Sequence, residues 1–116
     1  VRGSGVYKLV VLYRKPEIPT EDFDRRYGEH LELVSRVPGL RRCEVSRFVE
    51  APWGTPDLFQ LAELYFDDRR ALDAALHSPE MAAAGQQLRS FAKGLFTMYY
   101  AEVTAGEEKG GEGHGV

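Results

Sequence analysis

The chain has 116 residues, 43% of them apolar and 28% charged, and a formal net charge of −3; this fits one globular domain with one core and gives no electrostatic reason to bind nucleic acid. Its longest apolar runs, such as residues 9–13, fall far short of the roughly 20 residues of a bilayer span, and no charged start followed by an apolar segment marks a signal peptide, so a cytoplasmic protein without membrane contact is expected. Cys43 is the single cysteine, which excludes an internal disulfide and a thiol-rich metal site.

After an N-terminal extension, residues 1–5, the segment 6–13 (VYKLVVLY) is rich in β-branched and aromatic residues and reads as the first strand. Pro16 and Pro19 end it. Thr20 is the expected N-cap of a helix reaching to about residue 37, with Glu21, Asp22 and Asp24 in its first turn, where carboxylates interact favourably with the exposed amides. Pro38 and Gly39 stop that helix. Residues 40–49 (LRRCEVSRFV) alternate, with Cys43, Val45 and Val49 on one face and Arg42, Glu44 and Ser46 on the other; this predicts a second strand at a sheet edge. A Pro- and Gly-bounded loop carrying Trp53 leads to a third strand at 58–66 (LFQLAELYF). Asp67 is the expected cap of the next helical piece, 68–77, and Ser78-Pro79 divides it from a second piece, 79–93, because Ser suits an N-cap and Pro the first helical position. Residues 95–103 (LFTMYYAEV) form a fourth strand, and 104–116 are a Gly/Glu-rich tail.

The order β-α-β-β-α-β predicts an α+β, ferredoxin-like domain over residues 6–103, one four-stranded antiparallel sheet with its helices on one face. Strands one, three and four are apolar on both faces, and helices can cover one. At about 1.5 to 3 kcal/mol per large apolar side chain buried, a second protomer laid against the other face is the simplest cover, so a homodimer is expected.

The element order, together with YGEHLELVSRVPGLRRCEVSRF (27–48), VLYRKPEIPTEDF (11–23) and AELYFDDRRALDAALHSPEM (62–81), resembles the EthD-like branch of the dimeric α+β barrel superfamily. The resemblance implies a homodimer whose sheets form a barrel and a pocket between sheet and helices in each protomer, bordered by the histidine that His30 matches. Relatives include lactone isomerases, polyketide cyclases, cofactor-free oxygenases and haem proteins, so the fold leaves the reaction open. Family members often carry a proline shortly after that histidine and an aromatic after the double arginine; Leu31-Glu32-Leu33 and Cys43 stand at those places here.

At about 100° per residue, Phe23, Tyr27, His30, Leu31 and Val34 share one apolar stripe, which turns His30 toward the sheet. Two readings fit it: a core histidine satisfied by a carbonyl, a tyrosine or a carboxylate, or a catalytic acid/base that meets a ligand. Glu63 alternates with Phe59, Leu61 and Tyr65, and a carboxylate on an apolar strand face needs a donor. That donor is either an arginine such as Arg47 at an edge or interface, or His30 in a pocket. Tyr27, Tyr65 and Tyr99 fit plain core packing or the walls of a cavity, and Trp53 fits packing or a lid. His77 closes a helix end, and the basic pairs beside acids read as solvated faces. No phosphate loop, HExxH, CxxC or GxSxG element occurs.

These features predict a homodimer that binds a small, mostly apolar oxygenated ligand without cofactor or metal, with His30 as the polar centre and Tyr27, Glu63, Tyr65 and Trp53 around it. Such a protein would be a cofactor-free isomerase, cyclase or oxygenase, or a degradation accessory. The alternative is a noncatalytic ligand-sensing or structural homodimeric module.

Overall fold

The computed structural model describes residues 6–107; the extension 1–5 and residues 108–116 of the tail, His114 included, lie outside the described residues. Seven elements follow one another: β1 (Tyr7–Tyr13), α1 (Thr20–Val34), β2 (Arg42–Arg47), β3 (Gln60–Phe66), α2 (Arg69–Leu76), α3 (Pro79–Ala92) and β4 (Phe96–Glu102). The strands form one antiparallel sheet in the order β2-β3-β1-β4. Each β-α-β unit therefore leaves a gap that a strand of the other unit fills, which is the ferredoxin-like arrangement. No helix among the described residues is long and apolar enough to cross a membrane.

Register divides the sheet into two faces. Leu9 pairs with Leu64 and Tyr100, Val11 with Ala62 and Met98, and Tyr13 with Gln60 and Phe96. This face meets the helices, and Leu9, Val11, Tyr13, Ala62, Leu64 and Phe66 belong to the core with Phe23, Tyr27 and Val34 of α1 and Leu88 of α3. The opposite face carries Lys8, Val10 and Leu12 of β1, Leu61, Glu63 and Tyr65 of β3, and Tyr99 and Ala101 of β4. Phe23 is fully buried, stacked on Tyr27 at 5.6 Å between ring centroids and met edge-on by Phe59 at 5.3 Å. It anchors α1 to the sheet.

Two expected caps shift by one residue. The helix α1 begins at Thr20 itself: the Pro19 carbonyl accepts the first helical bond, from Phe23 N at 3.0 Å, which makes Pro19 the cap, and its ring has no acceptor to supply a side-chain cap. At α2 the cap is Asp68 rather than Asp67, its Oδ1 accepting from Ala71 N at 2.8 Å, which leaves Asp67 free to pair with Arg41 at 3.2 Å. Ser78 caps α3 as its sequence context predicts, accepting from Met81 N at 3.1 Å. The helix α1 also stops at Val34, earlier than Pro38 requires, and the Ser35 to Val37 stretch turns back with 3₁₀-type bonds such as Val37 N to the Val34 carbonyl at 3.0 Å. Strand β2 is an edge strand, and it ends at Arg47, so Val49 lies beyond it, 87% exposed.

Candidate functional site

The site lies between the helix layer and the sheet. Tyr27, His30, Leu31 and Val34 reach it from α1, Met81, Gly85 and Leu88 from α3, and Leu9, Val11, Tyr13, Ala62 and Leu64 from the two central strands; Cys43 and Met98 close the flanks. Together they enclose a cavity of about 30 Å³. That is room for roughly one or two waters at rest.

His30 is its unusual wall. The residue is only 7% exposed, and its Nδ1 has no hydrogen-bond partner among the described residues. Burial pushes the imidazole pKa below the ordinary histidine value, partly offset by the Ala84 carbonyl and the Gln87 side chain, both of which favour the protonated ring. The side group is therefore a neutral imidazole at neutral pH, able to accept a proton. Gln87 itself is tied to α1 by its Nε2, which donates to the Arg26 carbonyl at 3.1 Å, while its Oε1 is also buried and unpaired.

A buried polar chain runs beside the cavity. Tyr13 donates to the Tyr27 hydroxyl at 3.3 Å. Gln60, whose side chain lies beside Tyr27, accepts from Arg47 Nη2 at 2.9 Å, and the same guanidinium pairs with Asp24 at 2.7 Å. Burial raises the Tyr13 phenol well above its ordinary value and pushes Tyr27 up to about 12, so both remain neutral. Arg47 also lies over the Phe59 ring at 4.0 Å, fastening β2 to the first turns of α1.

The fold brings two of the predicted site residues together and separates three. His30 and Tyr27 meet at the cavity, with ring centroids 5.3 Å apart. Glu63 is on the opposite sheet face, where Lys8 Nζ donates to its Oε2 at 2.7 Å, so it pairs neither with His30 nor with Arg47. Tyr65 shares that outer face, between Lys8 at 5.1 Å and Arg42 at 5.3 Å from its ring centroid. Tyr99 is there too, 55% exposed. Trp53 stands on the β2–β3 loop, 88% exposed and away from the cavity. His77 serves its helix end, with Nδ1 bonded to the Asp73 carbonyl at 2.8 Å.

Among the wall and support residues that the sequence argument passes over are Cys43, Gln60, Gly85 and Met98. Gln60 and Gly85 carried signals. A glutamine in phase with Ala62, Leu64 and Phe66 marks a polar group on the buried face, and a glycine in the middle of a helix costs about 1 kcal/mol against alanine and so points to a need for space. Cys43 and Met98 carried none, because apolar residues on strands are ordinary.

Comparison with known proteins agrees with the fold. The family model described as the EthD domain matches residues 15–94. The chain belongs to the EthD family. An EthD family protein from Bacillus halodurans is 34% identical, with a TM-score of 0.77 covering 90% of this chain and 99% of that one. An uncharacterized 11.0 kDa protein from the thcB-thcC intergenic region of Rhodococcus erythropolis is 29% identical over 98 residues, 84% of this chain and 94% of its own length. Two more distant structures share the fold. A dimeric protein of unknown function and ferredoxin-like fold from Bacteroides fragilis has a TM-score of 0.64 at 20% identity, covering 87% of this chain and 99% of that one. SnoaB, a cofactor-independent oxygenase from Streptomyces nogalater, has a TM-score of 0.62 at 19% identity, covering 90% and 96%.

Proposed function

We propose that this EthD-family protein is a homodimer that binds, in each protomer, one compact and mostly apolar molecule carrying a hydroxyl or carbonyl oxygen, with His30 as its polar contact. The observation that carries this reading is the unpaired Nδ1 of a nearly sealed histidine on the wall of an otherwise apolar cavity. An unsatisfied buried nitrogen costs roughly 1 to 3 kcal/mol, and a ligand oxygen would recover it. The phenols of Tyr13 and Tyr27 are occupied with each other, which leaves the imidazole as the free polar group facing an entering molecule.

Where the ligand is a substrate, the neutral imidazole suits a general base, a role worth about 10² to 10⁴ in rate. Cofactor-free isomerisation, cyclisation and oxygenation of an enolisable or phenolic compound share one first step, removal of a proton, and His30 has the protonation state for it. The cofactor-independent oxygenase among the fold relatives is in keeping with such chemistry. Tyr27 shapes the wall beside the ring. Glu63, Tyr65 and Trp53 have no part in this site.

The homodimer rests on the outer sheet face, where Val10, Leu12, Leu61 and Tyr99 are grouped, and on the dimeric state of the ferredoxin-like relative from Bacteroides fragilis. A noncatalytic sensing or structural module is the second reading, favoured by the small volume of the cavity at rest. Calorimetric titration with p-cresol, a compact phenol, tests the binding proposal. Wild type binds it and His30→Leu, folded by circular dichroism, binds it at least about tenfold more weakly; equal affinity would refute the role of His30. Turnover of any bound phenol or ketone separates the catalytic reading from the noncatalytic one.

A further inference from the structure

A second space adjoins the closed cavity. An open cleft of about 530 Å³ lies between the C-terminal turn of α1 and β2, and its wall includes Leu31, Val34 and Cys43. The same three side chains line the cavity at His30. They form the partition between the two spaces. On one side of it is open solvent; on the other is the buried imidazole with its unpaired Nδ1. The strand that carries Cys43 is an exposed edge strand whose backbone ladder is with β3 alone, and its tie to α1, Arg47 to Asp24, lies at its far end, so the Cys43 side of the partition can yield.

We propose that the cleft is the entrance of the ligand site and that Cys43, with Leu31 and Val34, forms the neck that selects what reaches His30. The proposal rests on the binding reading above and adds the route, the orientation and the charge of the ligand. The oxygenated end enters first and meets His30, while the apolar body remains in the cleft beside Leu31, Val34, Leu40 and Val45. Arg41 and Arg42 also line the cleft, but Arg41 is paired with Asp67 and Arg42 with Glu44. No uncompensated cation is offered there, so the cleft suits a neutral molecule rather than a carboxylate or phosphate. Partial burial and the neighbouring Glu44 raise the Cys43 thiol above its ordinary value, so it rests protonated as part of the wall, while its exposed sulfur remains open to a thiol-selective reagent.

Because Cys43 is the single cysteine of the chain, thiol chemistry addresses the neck alone. The test compares p-cresol affinity, by calorimetry, for the untreated protein and for protein treated with a methyl or a naphthyl-bearing methanethiosulfonate, each forming a disulfide at Cys43 and releasing methanesulfinate. The small adduct retains affinity within about threefold, the bulky adduct loses at least about tenfold, and reduction with dithiothreitol restores it. The Cys43→Ala variant, exposed to the bulky reagent, binds like its untreated form. Undiminished binding by the bulky adduct overturns the entrance while leaving the His30 site intact. A thiol that neither reagent reaches in the folded protein overturns it also, since the cleft is then closed. Failure of the untreated protein to bind p-cresol overturns the binding reading and the neck together.

Discussion

Tyr27 and His30, three residues apart on α1, turn their rings toward the same cavity, with centroids 5.3 Å apart and planes tilted by 42°. The two differ in what holds them. Tyr27 has Tyr13 and Phe23 as neighbours and a hydroxyl that accepts a bond, whereas His30 keeps a nitrogen unpaired at the cavity wall. That difference sets the packing role of Tyr27 apart from the binding role proposed for His30, and it makes distinct predictions for each.

Replacing His30 with leucine should leave the fold standing. The change removes an unpaired buried nitrogen and keeps a side chain of similar bulk, so urea unfolding should show stability unchanged or raised by about 1 kcal/mol. His30→Ala should instead enlarge the cavity and cost about 2 kcal/mol or more. Destabilisation of the leucine variant by as much as the alanine variant would mean that the Ala84 carbonyl and Gln87 hold the ring as a satisfied core histidine.

The lowered imidazole pKa of His30 sets a pH dependence with a definite sign. The unfolded chain binds this proton more tightly than the folded one, so the stability contributed by a neutral, buried ring is complete above about pH 6.5 and is lost as the pH falls below it, down to the folded value. Urea midpoints measured at pH 7.5 and pH 5.5 should therefore differ more for wild type than for His30→Leu. Parallel shifts in the two proteins would contradict it.

Phe23 is expected to be the costliest single truncation in α1. It is fully buried among Tyr13, Tyr27, Phe59 and Phe91, and Phe23→Ala should cost about 3 to 5 kcal/mol. Tyr27→Phe removes the acceptor of the Tyr13 hydroxyl and the oxygen beside Gln60 and should cost about 0.5 to 1.5 kcal/mol. Thermal unfolding of the two variants side by side measures the contrast.

The outer sheet face predicts its own phenotype. A charge introduced among Val10, Leu12, Leu61 and Tyr99, as in Leu61→Arg, should convert a dimer to a folded monomer in sedimentation velocity, while Trp53→Ala, on its exposed loop, should leave the assembly unchanged. A wild-type protein that sediments as a monomer at micromolar concentration would remove the dimer from the account.

Much of this architecture is legible in the amino-acid order, and the reasons are local. The period-2 pattern of the strands, the Pro38-Gly39 stop and the Ser78-Pro79 break are written in neighbouring residues, as is the helical stripe that turns His30 inward. What a stripe or an alternation leaves open is which neighbour each face meets. Glu63 shows this: its partners on the strand face follow from parity, but only the pairing of Glu63 with Val10 and Glu44 puts that face away from the helices and beside Lys8. Tyr65 goes with it for the same reason. Cys43 is legible as a strand residue in phase with Val45, but its place between the cavity and the open cleft depends on the approach of α1 to the edge strand β2, which no local pattern encodes.

The central claim is that a compact, oxygen-bearing apolar molecule binds against the imidazole of His30. Its most direct measurement follows the histidine side-chain ¹H–¹⁵N signals while p-cresol is titrated into the protein. The account predicts that the His30 signals move saturably and those of His77, at the end of α2 and outside the cavity wall, stay fixed. Saturable binding that leaves the His30 signals unmoved would contradict it.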